Sequence, residues 1–230
     1  MKLFLKIFIP VAGAVILAFI LSVSIRANGG ITATFAASGF DFGFNLFKLA
    51  GLAAFTLIAF QVLTGPFMRF GAQLYGPKFF RIHGFMGVFA LAFSILHPAI
   101  LYWSLIVSRI SILEFAKNYG IAYYLGPMAL FLMTITTATV LSAVFFHQPT
   151  FQRHWRWIHY ANYVIFLLVF LHSITIGSDV TPQESALRPV WWLFFLGMIA
   201  GLAYRKVYRL FRARALHPLQ RQKPSEILSE

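Results

Sequence analysis

The amino-acid sequence predicts an all-α integral membrane protein, built as a bundle of six transmembrane helices. Of its 230 residues, 60% are hydrophobic and 11% are charged, and the mean hydropathy is +0.77. Soluble domains average about 45–50% apolar and about 25% charged residues, so this composition excludes an ordinary soluble domain and a disordered chain. The chain has no cysteine, which excludes disulfide scaffolds, iron–sulfur clusters and thiolate metal sites.

Six apolar stretches are long enough to cross a bilayer, whose hydrocarbon core of about 30 Å needs about 20 helical residues. The first, 7–25, follows Lys2 and Lys6 and has the charge pattern of a signal peptide. Its apolar run is longer than that of a signal peptide, so we favour an uncleaved helix. A loop rich in Gly, Ala, Ser and Thr separates it from the second span, 44–63.

The remaining four spans are separated by short connections that carry the charged residues. They are 83–107, 119–146, 157–176 and 190–204, and a basic tail, 205–230, follows the last one. The sequence shows no second domain and no evident internal repeat. We therefore treat residues 1–204 as one transmembrane domain.

The basic residues are distributed unevenly about these spans. The chain has 19 Lys and Arg against 6 Asp and Glu, a net charge of +13. With the N-terminus inside, most of the basic residues fall in the cytoplasmic segments, so the positive-inside rule places both termini in the cytoplasm. This orientation signal accounts for the net charge without a nucleic-acid partner. The tail also suits contact with anionic membrane lipid or with a docking partner.

Four of the seven histidines form a pattern on two spans. His83 and His97 lie 14 residues apart on the third span, and His159 and His172 lie 13 apart on the fifth. These spacings correspond to about 21 Å and about 20 Å along a helix, so each span offers one histidine near each membrane face. Two imidazoles at one depth suit the axial positions of a haem iron. The pattern predicts two b-type haems between these helices, one on His83 and His159, the other on His97 and His172.

The fifth span presents a geometric difficulty. At 100° per residue, 14 residues return to within about 40° of the starting face, but 13 leave the second side chain about 140° away. We therefore expect a local tightening, a kink or a strong tilt in this helix. The other histidines, His147, His154 and His217, lie in a loop and in the tail, where solvated histidines are the commoner case.

Several cations lie where the anionic propionates of a haem would approach the membrane faces. Arg81, Arg153 and Arg156 flank the cytoplasmic histidines, although the positive-inside rule alone also explains them. Lys48 lies inside the second span on the side where positive charge is disfavoured. Snorkelling to the external surface is the alternative for Lys48.

Tryptophans and glycines near the predicted membrane edges are less specific signals. An interfacial aromatic belt explains the five tryptophans, among them Trp103, Trp191 and Trp192. Close approach of helices, or of a porphyrin, explains glycines such as Gly51 and Gly197.

The histidine pattern resembles that of the ferric reductase-like transmembrane domain superfamily. Its members include NADPH oxidases, yeast-type ferric reductases and the bacterial haem subunit of the periplasmic methionine sulfoxide reductase system. The resemblance covers residues 44–208 and rests on the two histidine pairs and on the stretch 154–159, His-Trp-Arg-Trp-Ile-His. It implies haem ligation by those two pairs, a cytoplasmic flavin or flavoprotein donor and a bacterial inner-membrane location. The implied external acceptor is ferric chelate, oxygen or a periplasmic partner enzyme.

Two departures and two alternatives accompany this resemblance. The chain has no Gly-rich dinucleotide loop, so the flavin and nicotinamide module must belong to a partner. It carries His83, whereas the bacterial haem subunit lacks a histidine there.

One alternative function is that of a quinone-linked dihaem anchor subunit. The other is a haem-free transporter or assembly scaffold that uses its histidines for a metal ion or for protons, although the predicted spans hold no Asp or Glu.

Overall fold

The computed structural model describes the backbone of residues 2–145 and 149–221, and the side chains of residues 6–142 and 159–208. Within these ranges the chain is helical and contains no strand, which confirms the predicted all-α class. The helices are α1 (Lys2–Ala27), α2 (Gly30–Phe35), α3 (Gly39–Thr64), α4 (Met68–Tyr75), α5 (Lys78–Val107), α6 (Ile112–Tyr119), α7 (Ile121–Phe145), α8 (Pro149–Ile176) and α9 (Leu187–Arg221).

Six helical segments are long and apolar enough to cross a membrane, as predicted. They correspond to α1, α3, α5, α7, α8 and α9, and several are longer than their predicted spans. The second segment continues from α3 through a short 3-10 turn, Gly65–Phe67, into α4. Helix α9 continues to Arg221, well beyond 204. Its extension is rich in Arg, Leu and Ala, which are strong helix formers, so polarity ends the apolar span without ending the helix.

Helix α3 lies at the centre of the bundle and packs against α1, α5, α8 and α9. Its middle section is rich in small and apolar residues, among them Ala50, Ala53, Ala54 and Ala59, which are at most 6% exposed. Small side chains let neighbouring helices approach closely. The most extensive packing joins α3 with α5 and α7 with α8, so the bundle contains two helix pairs.

Large apolar side chains cover the outer faces of the bundle. Phe85 on α5 and Phe131 on α7 are each 65% exposed, and Leu193 on α9 is 67% exposed. In water such a surface would promote aggregation, whereas lipid chains solvate it. The exposed faces therefore fit a multi-pass membrane protein.

Trp191 departs from the expected interfacial belt. It is fully buried, its ring stacks on Phe55 with centroids 4.3 Å apart, and its Nε1 donates to Ser173 Oγ at 2.8 Å. The prediction failed here because an amphipathic indole also suits a buried site that offers it a hydrogen-bond acceptor. Trp103 and Trp192 are 51% and 43% exposed.

Candidate functional site

The four span histidines meet as two pairs between α5 and α8. The rings of His83 and His159 have centroids 6.1 Å apart, with planes inclined by 63°. The rings of His97 and His172 have centroids 6.4 Å apart, with planes inclined by 87°. We call these the lower pair and the upper pair; the upper end of the bundle carries α2 and α6, and the lower end carries α4.

Both pairs form although α8 contains no break in the helix between its two histidines. No 3-10 or π turn interrupts the helix there, so the expected local tightening is absent. The two side chains use different neighbours instead. His172 lies against α7, where its Nδ1 is 2.9 Å from the Ala122 carbonyl oxygen, whereas His159 contacts Asn162 on α8 itself.

The upper histidines share one hydrogen-bonding arrangement. Nδ1 of His97 lies 2.8 Å from the carbonyl oxygen of Phe47, and Nδ1 of His172 lies 2.9 Å from that of Ala122. A carbonyl oxygen only accepts, so each Nδ1 carries the hydrogen. The lone pair of each neutral ring is therefore on Nε2. This tautomer is the one that a histidine needs to ligate a metal through Nε2.

The lower histidines have side-chain partners instead. Nδ1 of His83 lies 3.3 Å from Thr64 Oγ1, whose hydroxyl donates to the Phe60 carbonyl at 2.7 Å and so leaves its oxygen free to accept. Nδ1 of His159 lies 3.1 Å from the amide nitrogen Nδ2 of Asn162. An amide nitrogen only donates, so in this orientation Nδ1 of His159 accepts; the flipped amide would instead present its oxygen to a hydrogen on Nδ1.

Each pair lines its own cavity. The upper cavity, of about 260 Å³, is bounded by α3, α5, α6, α7, α8 and α9 and by the segment that follows α8. The lower cavity, of about 570 Å³, is lined by His83 and His159 together with Gln61, Arg81 and Asn162. Both are lined mainly by apolar side chains with a few polar groups, the usual composition of a cofactor site.

The two cavities are separated by a thin layer of side chains. Among the described residues, Ile58 on α3, Met133 on α7 and Ile165 on α8 line both cavities. All three are buried. The upper and lower histidine pairs are therefore stacked along the bundle with one apolar layer between their cavities.

Lys48, the cation predicted inside the second span, lines the upper cavity. Its Nζ lies 3.4 Å from Asp179 Oδ1, and the two side chains are only 12% and 9% exposed. Lys48 also donates to the side-chain oxygen of Asn28, and Ser24 donates to Asp179 Oδ2 at 2.5 Å. Asp179 is one of the few acids in the predicted external loops, and its position in the sequence gives no sign of this contact. The carboxylate shows how a lysine is accommodated inside this span.

Of the three arginines predicted beside the cytoplasmic histidines, the structure describes the side chain of one. Arg81 lines the lower cavity beside His83. The side chains of Arg153 and Arg156 lie outside the described residues, as do those of the stretch 154–157, His147 and His217. Arg205, which the sequence analysis assigned to the tail, donates to the hydroxyl of Tyr160 at 2.6 Å, with its guanidinium 4.7 Å from the centroid of that ring. It therefore lies beside the residue that follows His159.

Comparisons with known proteins add no family to this geometry. Within the described ranges, no group of three or more His, Cys, Asp or Glu side chains is arranged to hold a metal ion. No family model, curated protein or solved structure matches the chain.

Proposed function

We propose that this chain is a b-type cytochrome with two haems that carries electrons across a membrane. The observation that supports it most strongly is the pair of stacked bis-histidine sites, each in its own cavity. The donor would be a cytoplasmic flavin or flavoprotein. The acceptor would be external: ferric chelate, oxygen or a periplasmic partner enzyme.

The spacing of the imidazoles fits a haem. With a metal–nitrogen bond of about 2.0 Å to each ring, two imidazoles that shared one iron would have their ring centroids about 6 Å apart. The centroid distances of 6.1 Å and 6.4 Å agree with this value. The tautomer of the upper pair, with its lone pairs on Nε2, fits the same role.

The number of ligands also fits. A haem iron takes four nitrogens from the porphyrin and needs only two axial ligands from the protein. Each site offers two histidines, which is fewer than a metal ion bound by side chains alone ordinarily requires. This favours haem over the alternative of a haem-free metal transporter.

The chain's own residues would position the groups and exclude water. His83 and His159 would hold one haem, and His97 and His172 the other, with apolar cavity walls that keep the ligands dry. When bound, each haem supplies an iron that accepts and releases one electron. Arg81 lines the lower cavity and Lys48 the upper one, and each would help to balance an anionic propionate there.

The distribution of charged residues gives the orientation that we propose for the chain in the membrane. By the positive-inside rule, the lower end, which carries α4, Lys78 and Arg81, would face the cytoplasm. The upper end, with Asp179 and the 177–186 segment, would face outward. The proposed location is therefore a plasma membrane with both termini inside, in a bacterium if the resemblance to the bacterial subunit holds.

A reduced-minus-oxidised spectrum with pyridine haemochrome quantification tests the proposal. We expect two b-type haems per chain in the purified protein. His97→Ala and His83→Ala should each retain one, because the cavities are separate, and His217→Ala serves as the matched control that keeps both. Absence of haem would overturn the proposal, and a single haem in the unmodified protein would contradict the dihaem assignment.

Vesicles test the transfer across the membrane. Reduced flavin mononucleotide supplied outside vesicles that contain the protein should reduce ferricyanide trapped inside. Loss of either haem should abolish this reaction, since both sites are needed to connect the two faces. Equal rates with and without protein would exclude the proposed conduit.

A further inference from the structure

The upper histidines lie in notches that glycines leave in the neighbouring helices. A Cβ atom built on Gly51 would be 2.7 Å from the ring of His97, and one built on Gly126 would be 2.9 Å from the ring of His172. Real Cβ contacts are essentially never shorter than 3.0 Å. Any larger residue at either position must therefore displace the imidazole.

Each notch also contains the carbonyl that binds the ring. Phe47 precedes Gly51 by one helical turn on α3, and Ala122 precedes Gly126 by one turn on α7, so each carbonyl and its glycine share a helix face. The glycine lets the ring approach the helix closely enough for Nδ1 to reach the main chain. Without that approach the hydrogen bonds of 2.8 Å and 2.9 Å cannot form.

The arrangement occurs twice at one constant offset along the chain. In both copies the histidine lies 50 residues after the carbonyl that it binds. The first copy joins α5 to α3, and the second joins α8 to α7, which are the two closely packed helix pairs. The two copies therefore share one spacing of carbonyl, glycine and histidine, although the sequence shows no evident internal repeat.

The lower pair has no such notch. The glycine beside His83, Gly84, would meet nothing within 4 Å if it carried a Cβ. The lower rings are held by the Thr64 hydroxyl and the Asn162 amide. The glycine and carbonyl arrangement is thus specific to the upper pair among the described residues.

We infer that Gly51 and Gly126 are positioning residues for the upper haem ligands. This inference rests on the proposed function and adds a role for two residues that are not themselves proposed ligands. Each glycine sets the depth of one imidazole and holds its Nδ1 hydrogen on a main-chain carbonyl. That hydrogen bond fixes the tautomer and raises the basicity of the ligand.

Alanine substitutions test this inference. In Gly51→Ala and in Gly126→Ala, the upper haem should be lost, halving the haem content, or retained with a changed midpoint potential and electron paramagnetic resonance signal. The lower haem should keep its potential and signal. Loss of the hydrogen-bond partner of a metal ligand typically costs about 10–100-fold in affinity. The upper haem of these variants should therefore also dissociate more readily when the protein is diluted.

Gly197→Ala is the matched control. Its Cβ would be 2.9 Å from Leu63 Cδ2, an equally tight contact that involves no histidine. We expect it to affect stability without changing either haem signal. If Gly197→Ala altered the upper haem as Gly51→Ala does, the glycines would act only through packing and the inference would fail.

The inference and the proposed function fail in different ways. Unmodified protein without haem contradicts the function. Unmodified protein with two haems, together with Gly51→Ala and Gly126→Ala proteins that keep both haems at unchanged potentials, contradicts only the role of the glycines.

Discussion

Lys48 and Asp179 form an ion pair across the upper end of the bundle, with Nζ and Oδ1 3.4 Å apart and both side chains nearly buried. The pair joins α3 to the segment after α8, which lies 131 residues further along the chain. It therefore ties the loop at the mouth of the upper cavity to the central helix.

Removing one partner of this pair should destabilise the protein. Lys48→Met leaves Asp179 without its cation and should lower the free energy of unfolding by about 2–3 kcal/mol, because a largely buried carboxylate loses its compensation. The double variant Lys48→Met with Asp179→Leu should recover most of that loss. Unfolding in mixed micelles measures the effect.

Lys117→Met is the control, since Lys117 is an exposed residue of α6 on the same side of the bundle. It should change stability by less than about 0.5 kcal/mol. If Lys48→Met were as stable as Lys117→Met, the ion pair would not hold the loop.

The two imidazole pairs should be distinguishable by electron paramagnetic resonance. The upper planes are nearly perpendicular, at 87°, and the lower planes are inclined by 63°. If each pair held a haem with its rings in these orientations, the more nearly perpendicular upper rings would leave the iron d orbitals closer in energy, so the upper site should give the more anisotropic low-spin signal. That signal should disappear in His97→Ala and remain in His83→Ala; the reverse assignment would contradict the geometry.

If the lower pair holds a haem as proposed, the hydroxyl of Thr64 should tune the potential of that haem alone. Thr64→Val removes the acceptor of His83 Nδ1. A less basic imidazole stabilises the oxidised iron less, so the potential of the lower haem should rise. Redox titration measures this shift against the unchanged upper haem.

Thr56→Val is the matched control for Thr64→Val. Thr56 is fully buried on the same helix, and its hydroxyl donates to the Leu52 carbonyl. It should leave both potentials unchanged. Equal shifts from both threonine variants would mean that the effect is transmitted by the helix rather than by the hydrogen bond.

Trp191 should be a major contributor to stability. Trp191→Ala would remove a fully buried ring that stacks on Phe55 and should cost about 3–5 kcal/mol. Trp191→Phe keeps an aromatic ring but loses the bond to Ser173, and should cost about 1–2 kcal/mol. Trp192→Phe, at a 43% exposed position, should have little effect on the unfolding free energy.

Much of the architecture could be predicted because it depends on local properties of the chain. Hydropathy over about 20 residues identifies a span, and the helical rise sets the depth of each histidine. These two rules were enough to anticipate the six spans. They also led to the expectation that His83 would face His159 and that His97 would face His172.

The remaining features depend on helix packing that a single sequence does not specify. The carbonyls that hold His97 and His172 lie 50 residues away from them. Gly51 was noted as a packing residue, but its contact with His97 depends on how α5 crosses α3. Trp191 likewise is of a residue type that is common at membrane interfaces, but it lies in the core of the bundle.

If the chain carries electrons across a membrane as proposed, the layer between the two cavities would bear on the energy stored across that membrane. The side chains of Ile58, Met133 and Ile165 carry no O–H or N–H group, so they provide no step for a proton moving by exchange along side-chain hydrogen bonds. An electron, by contrast, tunnels through close-packed apolar atoms. A partition of this kind would let charge cross as electrons while it keeps the proton gradient from leaking between the cavities.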